Sequence, residues 1–223
     1  MRKLWKTTAT LAAAVFLAGS LAGCGSSGGS SSSSGGGKSG STSDMIVTTM
    51  YTEAGSLDSA GESGLWWWSY DDVCMAPIME MKEDGSWDYI LAESVDVNDD
   101  MTQYTVHLRS DAKWSNGTPV TAADFVFGWQ RAVDPDVASE YAYMLSDIGQ
   151  IKNAAEIIAG EKDKSELGVT AVDDNTLQVE LNVPVSYFTS LMYFPTFYPV
   201  NEEFFTSCGD TFATSPETVL SNG

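Results

Sequence analysis

Apolar and polar positions divide this chain into unlike stretches, and each period predicts its own element. Tyr104, Val106 and Leu108 alternate with Thr105, His107 and Arg109, the signature of a half-buried strand. Ile46 to Tyr51 is rich in β-branched and aromatic residues and predicts another strand. Leu65 to Met81 is apolar and predicts a helix followed by a strand, closed by the Glu83-Asp84-Gly85 turn. Asp96 to Thr102 predicts a polar turn, and Ser115-Asn116-Gly117 another. Thr121 is placed as the N-cap of a helix with Asp124 at the capping-box position, and Phe125, Val126 and Trp129 share its apolar face up to Asp134-Pro135. Ile151, Ala154, Ala155 and Ile158 predict a second helix ended by Gly160. Val169–Val172 and Leu177–Leu181 predict two strands around Asp173-Asp174-Asn175, and Tyr187 to Met192 a short aromatic helix. Ser215-Pro216 marks a helix start, with Pro at the first helical position.

The first 43 residues follow no such period. Arg2, Lys3 and Lys6 precede an apolar run, Leu11 to Leu17, too short to span a bilayer. Leu21-Ala22-Gly23-Cys24 follows, and a basic start, an apolar middle and a small-residue site make a secretory signal. A cysteine directly after Leu-Ala-Gly resembles the bacterial lipobox. That resemblance makes residues 1–23 a lipoprotein signal peptide and Cys24 the lipidated first residue of the mature chain; a plain signal with a chance cysteine is the weaker reading. Gly25 to Ser43 is almost wholly Gly and Ser. It has nothing apolar to bury and reads as a flexible tether with an r.m.s. reach of roughly 25 Å. Residues 24–43 are thus anchor and tether, and the body begins near Met45.

Charge then narrows the partners. The formal net charge is −20, and without the three basic residues of the leader it is −23. Such a surface repels nucleic acid and offers no polybasic membrane patch, so no nucleic-acid partner is expected. Beyond Cys24 only Cys74 and Cys208 remain, which an exported chain permits to pair, although two separate thiols are the stronger reading.

Catalytic chemistry finds no footing. His107 is the single histidine, on the polar face of a strand and outside any nucleophile context. Asp96 to Asp100 begins like a calcium loop, but Met101 and His107 stand where an EF-hand needs Gly and Glu. No phosphate-binding loop or metal-ligand spacing is present, so no catalytic residue, metal or cofactor is expected. Trp66-Trp67-Trp68 cannot all face one core, so at least one indole is expected to be exposed or to line a cleft, with two in the core and one capping it as the alternative.

The run Tyr104 to Pro135, YTVHLRSDAKWSNGTPVTAADFVFGWQRAVDP, closely resembles the hallmark segment of the oligopeptide-binding proteins, extracellular solute-binding protein family 5, the receptor subunits of peptide ABC importers. Gly55-Ser56-Leu57-Asp58, Leu91-Ala92-Glu93-Ser94, Ala138 to Ala142, Glu166 to Val169 and Pro199-Val200-Asn201 match in order. The resemblance implies an α/β fold, a type II periplasmic-binding-protein-like receptor of two lobes. Family members run well past 223 residues, through an Asn-Gly motif where this chain has Asn222-Gly223, so the chain is expected to carry the first lobe only. Residues 44–75 and 201–223 would belong to the main sheet of that lobe, and residues 76–200 to an inserted subdomain. The resemblance also implies an oligopeptide ligand, the importer's permease subunits as partners, a monomeric receptor, and a place on the outer face of the cell membrane (the periplasm in a diderm host). Main-chain groups matching Ser63, Gly64 and Leu65 would grip the peptide backbone, with Trp66 beside them and Tyr141 lining the cleft. Serine at 63 departs from the acidic residue of the best-known relatives. Receptors for nickel, haem, sugars or signalling peptides belong to the same family, and a surface peptidase is the alternative of another class.

Overall fold

The computed structural model describes residues 56–61 and 74–223. The predicted strand at 46–51, the helix expected from Leu65, the tryptophan run and Cys24 lie outside them. β1 (Met79–Met81) and β2 (Trp87–Tyr89) pair antiparallel as a hairpin around the predicted turn, with Gly85 at φ +81°. β3 (Ala92–Val97) and β4 (Gln103–Leu108) follow. Next come α1 (Ala122–Val133), a π-helical turn at Met144–Ile148, and α2 (Ala154–Ile158). β5 (Val169–Asp173), β6 (Thr176–Glu180), α3 (Phe188–Leu191) and α4 (Glu202–Cys208) complete the order.

The larger sheet runs β3-β4-β6-β5, antiparallel throughout. β4 buries Tyr104, Val106 and Leu108 and leaves the residues between them half exposed, as its period predicts. α1 lies against β5 and β6 and buries Phe125, Trp129, Ala132 and Val133. Each large side chain so buried contributes about 1.5–3 kcal/mol. The capping prediction holds: the Thr121 N–H donates to Asp124 Oδ2 at 2.8 Å. Asp134, held extended before Pro135, ends the helix. Gly128 is needed where α1 meets the 198–200 backbone. A Cβ there would stand 2.8 Å from the Tyr198 carbonyl oxygen, too close for any other residue without movement.

Three expectations change. β3 extends through Asp96 and Val97, so the polar turn shrinks to 98–102; its irregular register hid the strand from a period-2 reading. The second helix begins at Ala154 rather than Ile151. Ile151 is spent in a bridge to Leu181, and Asn153 takes a left-handed φ of 68°. Ser215 caps only a single 3-10 turn, Pro216–Thr218, because Val219 turns extended and Asn222 is drawn to Cys74 and Ala76. Residues 201–223 carry α4 and two 3-10 turns and no strand. α4 was not predicted; Asn201 starts it, its Oδ1 accepting from the Phe204 N–H at 2.9 Å. Cys74 and Cys208 are not joined to each other.

Candidate ligand-binding site

Tyr141 stands in the loop between α1 and the π-helical turn, half buried. Its ring meets Phe194 edge-on at 5.1 Å and lies 6.1 Å from Tyr143, which is largely exposed. Phe194 leads into the 3-10 turn Pro195–Phe197, whose Pro195 and Phe197 are buried and fix its place. Phe197 itself packs edge-on against Trp129, and its carbonyl oxygen accepts from Trp129 Nε1 at 2.8 Å. Phe194 is therefore carried on the core, and Tyr141 packs from its loop against it. Such rings offer contact area with few rotatable bonds to freeze.

Tyr193, next in the chain, packs edge-on to Trp87 of β2 and lines an open pocket of about 470 Å³ with Met75, Pro77, Glu80, Ile90 and Tyr198. This pocket pairs aromatic walls with one carboxylate. Ser63, Gly64, Leu65 and Trp66 lie outside the described residues, so of the predicted contacts only Tyr141 is placed. Phe194 and Tyr143 were missed by the sequence reading, which ended its aromatic helix at Met192. The Tyr193-Phe194-Pro195 run was the available signal: adjacent aromatics stopped by proline.

Two carboxylates, the buried Asp124 and the largely enclosed Asp58, hold distant parts of the fold together. Asp124 accepts from Thr121 N–H, from Trp114 Nε1 at 3.2 Å and from Asn201 Nδ2 at 3.2 Å. Burial pushes its carboxyl above the usual range, and these donors hold the rise in check. Asp58 takes both Nη atoms of Arg131, at 3.0 and 2.7 Å, with both side chains largely buried. His107 sits on the exposed face as expected, 3.0 Å from Asp96 across the β3–β4 pair. Among the described residues no group of His, Cys, Asp and Glu is placed to hold a metal ion, and no helix is long and apolar enough to cross a membrane.

Residues 88–223, more than half of the chain, match the profile of the bacterial extracellular solute-binding proteins, family 5 middle region. The chain belongs to that family. It is a family of binding proteins and not of enzymes. The periplasmic oligopeptide-binding protein OppA of Escherichia coli is 48% identical over 133 residues, 60% of this chain and 24% of the relative. The probable deoxycholate-binding periplasmic protein YgiS of the same organism is 46% identical over 132 residues, 59% of this chain and 24% of the relative. Among solved structures, Listeria monocytogenes OppA bound to peptide superposes with a TM-score of 0.71 at 43% identity, covering 75% of this chain and 33% of that one. The fold is thus that of the type II periplasmic-binding-protein-like receptors. The chain spans about a quarter of the length of the curated relatives it matches.

Proposed function

We propose that this chain is part of the solute-binding subunit of an ABC importer, anchored by a lipid on Cys24, that captures extracellular oligopeptides and delivers them to the permease. The observation that carries the reading is the 48% identity to an oligopeptide-binding protein, joined to the aromatic face where Tyr141 packs on Phe194. In this reading main-chain groups of Ser63, Gly64 and Leu65 pair with the peptide backbone. Every peptide shares that backbone, so the pairing gives affinity without side-chain choice. Tyr141, with Trp66, lines the cleft, and water fills the pockets that admit unlike side chains. Residues 1–23 are the signal peptide and 24–43 the anchor and tether. Residues 44–75 and 201–223 contribute to the main sheet of the first lobe, with 76–200 as its inserted subdomain. The receptor works as a monomer on the outer face of the membrane.

The 46% identity to a probable deoxycholate-binding protein favours a second reading, a receptor for an amphipathic non-peptide solute through the same aromatic face. Titration calorimetry of the complete gene product with short peptides and with deoxycholate separates them. One-site binding of peptides with unlike side chains is expected. Saturable binding of deoxycholate alone would overturn the peptide reading. For the anchor, Cys24→Ala is expected to abolish metabolic labelling by palmitate, and undiminished labelling would refute it.

A further inference from the structure

Glu80 stands where a hairpin gains nothing from a carboxylate. The register of β1 and β2 sets it directly opposite Asp88, and like charges facing each other across a strand pair repel. Lys82 relieves only one of the two: its Nζ lies 2.8 Å from Asp88 Oδ2. Glu83 and Asp84 follow in the turn, so four carboxylates and one ammonium share an open groove of about 510 Å³ with Met81 and Ile90. Glu80 is exposed, and among the described residues no cation pairs with it. Proteins keep such local conflicts chiefly where function uses them.

Glu80 also belongs to the pocket of about 470 Å³ whose walls are Met75, Pro77, Ile90, Tyr193 and Tyr198. It therefore stands where the acidic groove meets an aromatic and apolar one. The pocket is tied to the aromatic face by the chain itself: Tyr193 lines the pocket, and the next residue, Phe194, meets Tyr141 edge-on at 5.1 Å. Tyr193 is steadied in turn by Trp87 of β2, with ring centroids 6.3 Å apart. An unneutralised carboxylate beside tyrosine rings suits a group that is cationic at its tip and apolar along its stem. Arginine and lysine side chains have that build, and arginine also stacks on aromatic faces. We infer that this pocket takes an arginine or lysine side chain of the captured peptide, with Glu80 pairing with the charge and Tyr193 lying along the stem. The inference rests on the peptide-binding reading and deepens it: backbone pairing gives the affinity common to all peptides, and Glu80 adds a bias toward one class of side chain.

The test uses the complete gene product, its Glu80→Gln and Tyr193→Leu variants, and alanine-based peptides carrying one arginine at successive positions, each with a glutamine twin. Calorimetry at physiological ionic strength damps the pull that a chain of net charge −20 exerts on any cationic peptide. At one position the arginine peptide is expected to bind about tenfold more tightly than its twin, the scale of one exposed ion pair with a cation–π contact. Glu80→Gln, near-isosteric on an exposed strand, is expected to bring that ratio close to one. Tyr193→Leu is expected to lower it about threefold. An arginine that gains nothing at any position, that gains equally at every position, or that keeps its advantage in Glu80→Gln would overturn the inference and leave the peptide reading standing. A folded parent that binds none of the series would overturn both. If Tyr193→Leu does not fold, Glu80→Gln decides alone.

Discussion

The sheet with α1 and the outer segments 56–61 and 201–223 are held by different physics. In the first, apolar surface does the holding: Trp129, Phe125, Tyr104, Leu177 and Val179 are essentially inaccessible and arrive from elements with a clean period. In the second, the joins are polar and aromatic. Asp58 meets Arg131, Asn201 meets Asp124, and Asn222 exchanges hydrogen bonds with the Ala76 backbone at 2.9 and 3.2 Å. Apolar burial is non-directional and tolerates small shifts, whereas these joins fix angles. The core supplies stability, and the outer joins set where the segments 56–61 and 201–223 lie against it.

Substitutions can break or sharpen this contrast. The largest loss is expected from Trp129→Ala, which empties the core and orphans the Phe197 carbonyl; about 3–5 kcal/mol should be lost in urea denaturation. Arg131→Met leaves Asp58 buried without its partner and should lose about 3 kcal/mol, whereas Arg131→Met with Asp58→Leu should recover most of that. A double variant as unstable as the single would mean that the join is part of the core, and the contrast would fail. Asn222→Ala removes two buried hydrogen bonds and should cost about 1–2 kcal/mol. Native-state exchange should then show faster opening at Ala76 and unchanged protection in β4 and β6. The smallest effect concerns pH. Burial works to raise the Asp134 carboxyl, but Lys164 and the Asp136 N–H outweigh it and lower the pKa overall. A lowered pKa stabilises above the unfolded value near about 4 and is lost as pH falls through the folded value. Asp134→Asn should therefore cost about 0.5 kcal/mol near neutral pH and nothing at strongly acidic pH.

The same contrast explains what was legible in the sequence. β4, α1, β5, β6 and α3 were readable because each carries its own period or cap within a dozen residues. α1 even announced both ends, through Thr121 with Asp124 and through Asp134-Pro135. β3 was hidden by an irregular register, and α4 by a cap, Asn201, that is also committed to Asp124 across 77 residues. The Ser215-Pro216 signal was sound locally but was overruled by the pull of Asn222 toward Ala76. Tyr141 came from family resemblance; its neighbour Phe194 came only from the fold, since 53 residues separate them in sequence. No local pattern could have joined Asp58 to Arg131.

Peptide capture at the aromatic face is tested most directly by titrating the complete gene product, and its Tyr141→Ala variant, with short peptides of unrelated sequence. One saturable site is expected for peptides with unlike side chains. In the variant, affinity should fall by about 1–3 kcal/mol while the melting temperature stays close to that of the parent. A folded parent that binds none of the peptides, or a Tyr141→Ala variant with the parent's affinity, would contradict the account.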